Sequence, residues 1–374
     1  MLSTIEEHFS AITDERQQYK VRYPLHDILL ITLVGVICGA DGWEAIEEVG
    51  KNKLKLLKKY GYFHYGIPVH DTIARIISAI APAQFQDCFI NWMKDAEINT
   101  QGEIIAVDGK TVRGSYDKKS KQGAIHMVSA FAAENGVVLG QVKTHEKSNE
   151  ITAIPDLLSK LEIKGAVITI DAMGCQKAIA KKIIQKEADY VLAVKGNQGH
   201  LSSAIRDFFD IAHEENFKQL SHHFHEEIDK AHGRIEHRRY WLTEDLSSIK
   251  DLTSKWVGLK SIGMVESQRH IGDKVTVDRR YFICSLNETD DLFAKAVRRH
   301  WSVENELHWV LDVSFREDHS RIRRDNGAEN MATTRHITLN MLRQEKTCKK
   351  GIKGKRFKAA LDSDYAEKVI STVF

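Results

Sequence analysis

Three acidic residues stand where a rigid element could aim them at a shared point. Asp108 closes the apolar run Ile104-Ile105-Ala106-Val107, Asp171 closes Val167-Ile168-Thr169-Ile170, and Glu304 lies within Arg299-His300-Trp301-Ser302-Val303-Glu304-Asn305. Hard divalent cations prefer carboxylate oxygens. Two such ions about 4 Å apart can activate an attacking oxygen and stabilise the oxygen leaving a phosphodiester. The chemistry expected is metal-dependent nucleotidyl transfer on DNA, with Asp108, Asp171 and Glu304 as both catalytic and metal-ligating residues. Each acid alone has a plainer reading: an Asp after a strand commonly closes a turn, and a single helical Glu is commonly solvated. The right element under each acid, in the right chain order, favours the metal reading.

The elements that must position these acids can be read from apolar spacing. Glu103–Asp108, Ala124–Ala133 and Val137–Lys143 are strand candidates, the last two joined by a hairpin turn at Glu134-Asn135-Gly136. A helix over Glu150–Leu161 carries Pro155; the strand Val167–Ile170, a Lys-rich helix from Gln176 to about Lys186 and the strand Tyr190–Val194 follow. The order β-β-β-α-β-α-β is that of an RNase H-like mixed sheet flanked by helices, an α/β fold. After a helix at Leu201–His213, the runs Arg238–Leu242, Trp256–Leu259 and Arg280–Cys284 read as a β-rich insertion at about residues 200–288. A helix from about Asp291 through Leu311 then carries Glu304. Val297, Trp301, Leu307 or His308, and Leu311 make its apolar stripe, which selects Glu304 over Glu306, about 200° around the helix. Residues 1–99 read as an N-terminal helical domain: isoleucines at helical spacing follow Asp71, and Phe85, Cys88, Phe89, Trp92 and Met93 form a second stripe. The turn Gly66-Ile67-Pro68 before Asp71 makes a helix-turn-helix a candidate there, with a simple packing bundle as the alternative. The catalytic domain is expected over residues 100–345 and a basic tail over 346–374.

The 374 residues are 42% hydrophobic, enough for a sizeable core, and 54 Lys+Arg against 52 Asp+Glu leave a net charge of only +2. Any surface for a polyanion must therefore be local. Candidate DNA contacts are Lys110 and Arg113 after the first acid, Lys195 and Asn197 after the last core strand, and Arg298, Arg299 and His300 before Glu304. Further candidates are Arg234 in a basic turn and Lys353, Lys355 and Arg356 in the tail. Side chains of this kind position phosphates without reading sequence. The scattered cysteines Cys38, Cys88, Cys175, Cys284 and Cys348 disfavour a disulfide framework and fit a reducing cytoplasm. The apolar stretch Ile28–Ala40 is too short for a membrane span, and the acidic first residues do not read as a signal peptide. His222, His223, His225, His232 and His237 match no zinc spacing, and no GxSxG elbow points to a serine hydrolase.

At these residues the chain resembles bacterial insertion-sequence transposases of the DDE class, the H-repeat-associated or ISAs-type group. The similar segments are Gly66–Thr72, Ala106–Gly114, Lys147–Ile151, Ile170–Gln176, Val194–Gln198, His300–Asn305, Leu307–Val313 and Gly351–Arg356, so the likeness runs nearly end to end. The resemblance implies a DDE triad of Asp108, Asp171 and Glu304, two Mg²⁺ ions for which Mn²⁺ substitutes, and double-stranded DNA partners: the element's terminal inverted repeats and a target. It implies cleavage and strand transfer by a homodimer or larger synaptic complex, cytoplasmic and nucleoid-associated. The wider superfamily places a Tyr, an Arg and a Lys around its Glu; here those places hold Val297, His300 and Leu311, leaving Arg298, Arg299 or Arg316 as substitutes. Two rival readings share the residues: a catalytically silent DNA-binding relic, and a nuclease without strand transfer.

Overall fold

Short apolar runs become the parallel strands, longer charged stretches become antiparallel ones, and amphipathic stretches become helices. The structure is a computed structural model that describes residues 7–96, 98–116, 123–144, 150–231, 233–289 and 291–371. Its strands are β1 (Ile104–Thr111), β2 (His126–Ala132), β3 (Val137–Lys143), β4 (Val167–Ile170), β5 (Asp189–Val194), β6 (His223–Ala231), β7 (Arg234–Thr243), β8 (Ser261–Ile271) and β9 (Lys274–Cys284). The fold is mixed α/β. It divides into a strand-rich unit, Thr100–Asp108 with Glu150–Ser302, and a helical unit, Met1–Asn99 with Gly109–Asn149 and Val303–Phe374. One unit ends and the other begins at residues 99 and 100, and the helical unit takes in residues on both sides of 345.

In the strand-rich unit the order is β1-β4-β5-β9-β8-β7-β6. β1, β4 and β5 are parallel, and their buried runs Ile104–Val107, Val167–Ile170 and Tyr190–Leu192 have the unbroken apolar character of strands covered on both faces. The Lys177–Gln185 helix makes the crossover from β4 to β5. After the Gly199–Glu214 helix come the long antiparallel β6, β7, β8 and β9, and β9 returns to pair with β5, Leu192 opposite Ile283. The runs Arg238–Leu242 and Arg280–Cys284 lie in β7 and β9, but Trp256–Leu259 is a turn, not a strand, because Gly258 adopts φ 73°, a left-handed conformation outside the strand region. Gly233, at φ 74°, turns β6 into β7; His232 and residues 147–149 of the Lys147–Ile151 motif lie outside the described residues.

The core of the helical unit is the Gly327–Gln344 helix, buried over Gly327–Leu342. Its polar side chains are satisfied at long range. Asn340 brackets β3, accepting from the Val138 N–H at 2.9 Å and donating to the Val138 carbonyl at 2.8 Å. Gln141 donates to Thr333 Oγ1 at 2.8 Å, while Asn330 Nδ2 caps the Ile77 carbonyl at 2.7 Å. Ile77 lies on the His70–Ala79 helix, which starts one residue before Asp71, where the Glu47 carboxylate accepts the His70 N–H at 2.6 Å. β2 and β3 form the expected hairpin, with a register shift between Ala130 and Phe131. The segment expected as a basic tail instead forms the helices Ile352–Leu361 and Ser363–Ile370. Among the described residues no helix is long and apolar enough to cross a membrane.

Candidate active site

Parallel pairing puts two carboxylates at one level of the strand-rich unit. β1 and β4 run in register from Ile104↔Val167 to Val107↔Ile170, so Asp108 and Asp171 are the next residues on strands about 4.8 Å apart. Both are half-buried. Asp171 Oδ1 accepts the backbone N–H groups of Met173 at 3.0 Å and Gly174 at 3.3 Å, which fixes the carboxylate at the strand end. Gly174 is needed for this turn, since a Cβ there would come within 2.2 Å of Ile170. The loop after β5 is latched to the same turn: Asn197 donates to the Ala172 carbonyl and Gln198 to the Cys175 carbonyl at 3.0 Å.

His300 closes this arrangement from the Leu292–His300 helix, its Nδ1 3.0 Å from Thr169 Oγ1, two residues before Asp171. Burial pushes its imidazole down to about 4, against the opposing pull of Asp171 and with help from Arg280. At neutral pH His300 is therefore an uncharged hydrogen-bonding group rather than the cation its neighbours Arg298 and Arg299 suggest. Arg280 itself lies over the Trp301 ring at 5.5 Å.

Glu304 belongs to the helical unit. The single helix expected over Asp291–Leu311 is broken into the Leu292–His300 helix, a π-helical turn at Val303–His308 and the Trp309–Ser314 helix. The wider turn rotates the stripe: Val303, Leu307 and Leu311 are buried, whereas Trp301 is 38% exposed. Glu304 is exposed, and partial burial holds its carboxyl above the ordinary value. π-turns of this kind recur at functional sites. The Glu306 carbonyl is taken by the Arg343 guanidinium, which also donates to the Gly136 carbonyl at 2.7 Å.

Three other acids follow in the same unit, and Lys110 gathers them. Its ammonium lies 2.8 Å from Asp312, 3.1 Å from Glu317 and 3.2 Å from Asp318, with the Lys110 side chain only 10% exposed. Burial opposes the charge on Lys110, but Glu317 and Asp312 outweigh it and raise its pKa above the ordinary lysine value. Burial likewise works against Glu317, yet Arg335, at 3.3 Å, and Lys110 hold its carboxyl low. Asp312 moves the other way, because its burial outweighs Lys110. Lys110 is thus the centre of an ion-pair cluster, a role its place beside Asp108 did not suggest.

The remaining candidates are dispersed. Lys195 is exposed after β5, and Arg234 is exposed at the β6–β7 turn. Arg298 pairs with Asp229 at 3.2 Å; Arg299 is half-buried and its carbonyl accepts Ser302 Oγ. Arg113 is 81% exposed and reaches Asp318 at 3.4 Å. Lys353 is exposed, but Lys355 and Arg356 are buried: Lys355 donates to the Leu342 carbonyl at 2.7 Å, and Arg356 to the Val36 carbonyl at 3.0 Å over the Phe315 ring. These two cap carbonyls inside the helical unit. Among the histidines, His237 pairs with Glu226 and His223 with Asp291, each at 3.0 Å.

Asp108 and Asp171 offer the hard oxygen donors that a divalent cation prefers. Among the described residues no group of three or more His, Cys, Asp or Glu is arranged to hold a metal ion.

Comparison with known proteins gives this arrangement a family. Residues 99–341 match the family described as "Transposase DDE domain", and residues 6–93 match "DDE_Tnp_1-associated". The "H repeat-associated putative transposase YhhI" of Escherichia coli (strain K12) is 48% identical over 99% of this chain and 98% of its own length. The "Putative transposase YncI" of Escherichia coli O157:H7 is 49% identical over 99% of this chain and 95% of its own. A solved piggyBac transposase synaptic complex with hairpin DNA aligns at TM-score 0.45 and 11% identity, over 99% of this chain and 81% of that one. The chain belongs to the DDE-domain transposase family, in its H repeat-associated group.

Proposed function

We propose that this transposase cuts DNA at the terminal inverted repeats of its own element and joins the ends to target DNA, using Asp108, Asp171 and Glu304. The observation that carries the reading is that Asp108 and Asp171 directly follow the last paired residues of the parallel β1–β4 ladder, at its carboxyl end, in a chain of this family. Open α/β sheets bind their ligands at such strand ends. The parallel β1, β4 and β5 support an RNase H-like core, and the exposed carboxyl of Glu304 supports its role as the third acid. Asp312, Glu317 and Asp318, three acids that follow Glu304 in the chain, are already engaged by Lys110.

In this reading the three carboxylates would hold Mg²⁺ or Mn²⁺. Such ions supply activation of an attacking oxygen and stabilisation of the leaving one. The chain's own residues do the positioning. The Met173 and Gly174 N–H groups orient Asp171, while Asn197 and Gln198 hold the two strand-end loops together. Neutral His300 offers a hydrogen bond beside the acids without adding charge. Lys195, Arg113 and the exposed basic residues contact backbone phosphates, and two ends processed together call for a homodimer or larger assembly.

Joining tests this function most specifically. With a pre-cleaved end carrying the flanking inverted repeat and a supercoiled target, Mg²⁺ is expected to yield end-joined products on a gel. Nicking of DNA without any joined product would instead assign a nuclease, and binding without either reaction would assign a silent relic.

A further inference from the structure

With a net charge of only +2, a duplex must be met by a local concentration of cations, and one lies in the helical unit. The stretch Arg316-Glu317-Asp318-His319-Ser320-Arg321-Ile322-Arg323-Arg324 sorts its charges by direction. Glu317, 2% exposed, and Asp318, 20% exposed, turn inward to Lys110, and Ile322 is buried. Arg316 and Arg324 project outward at 65% and 81% exposure, and Arg321 is exposed with no ion-pair partner among the described residues.

A second loop stiffens this one. Gly114 packs so closely that a Cβ would stand 2.1 Å from the Ser320 carbonyl oxygen. Arg323 Nε donates to the Gly114 carbonyl at 2.8 Å, and its guanidinium lies 4.5 Å from the Tyr116 ring centre. The neighbouring Arg113 is 81% exposed, and its N–H is held by Asp318 at 3.3 Å. The acids that compete are Asp318, 3.4 Å from Arg113, Asp325, 3.3 Å from Arg324 and itself 66% exposed, and Asp41, 3.9 Å from Arg316.

We propose that the paired loops 113–116 and 316–324 form a phosphate-binding platform for duplex DNA, in which Arg113, Arg316, Arg321 and Arg324 engage the sugar-phosphate backbone and Arg323 with Tyr116 holds the loops together. The proposal rests on the transposase reading and names the surface through which the helical unit meets DNA. Guanidinium forks suit phosphate oxygens, and the inward ion pairs keep the arginines presented before DNA arrives.

The test is anisotropy of a labelled duplex carrying the inverted repeat, and of a scrambled duplex, over a KCl series with the full chain and Arg321→Gln/Arg324→Gln. Each lost phosphate contact lowers the slope of log affinity against log salt by about one. The double variant is expected to bind both duplexes about tenfold or more weakly, with a slope smaller by about two, and with an unchanged melting temperature. Arg321→Lys/Arg324→Lys keeps the charge and should restore most of the slope. An unchanged slope and affinity in the Gln variant, with the wild type binding normally, would overturn the platform alone. No binding by the wild type to either duplex would overturn the platform and the transposase reading together.

Discussion

Asp108→Asn and Asp171→Asn are each expected to reduce Mg²⁺-dependent cleavage of an inverted-repeat duplex by about three orders of magnitude, roughly 4 kcal/mol of lost barrier lowering. The substitution keeps the side-chain volume and removes only the charge. The two residues follow directly on the last paired positions of β1 and β4, so losing either leaves one carboxylate to do the work of a pair. Duplex affinity should be retained, because removing an anion from a surface that meets a polyanion does not weaken the encounter. Initial nicking rates and anisotropy on the same preparations separate the two effects. Equal loss of binding and cleavage would show that these acids hold the fold instead.

Lys110→Met carries the largest expected effect on stability. Its ammonium serves Asp312, Glu317 and Asp318 from a nearly buried position, and removing one member of a buried ion pair costs about 3–5 kcal/mol. The urea midpoint should fall accordingly at an unchanged m-value. Adding Asp312→Asn should recover part of the loss, since Asp312 is then left without its cation, whereas Glu317 keeps Arg335 at 3.3 Å. A Lys110→Met protein with wild-type stability and weakened DNA binding would instead return Lys110 to the phosphate-contact role that its position beside Asp108 suggests.

The parts of the fold legible in the sequence are those governed by local pattern. β4 and β3 occupy the expected residues, because interior strands are short unbroken apolar runs and the hairpin is punctuated by Gly136 at φ 68°. Asp108 and Asp171 were readable for the same reason: each directly follows such a run. What escaped depends on distant partners. The Gly327–Gln344 helix has no apolar stripe, since Asn330, Thr333 and Asn340 are buried against residues far away in the chain. Lys355 and Arg356 look solvated in sequence, yet Arg356 reaches a carbonyl 320 positions away. The break around Trp301 replaces a regular helix by a π-turn, which an ideal 3.6-residue period does not anticipate. Lys110 and Glu317 are likewise separated by some 200 positions, so their pairing belongs to tertiary structure alone.

Glu304→Ala tests most directly whether Glu304 completes the set with Asp108 and Asp171. The measurement is Mg²⁺-dependent cleavage of the inverted-repeat duplex at saturating protein, beside wild type. The expected result is no detectable cleavage with duplex affinity and melting temperature unchanged; cleavage by Glu304→Ala at the wild-type rate would contradict the assignment.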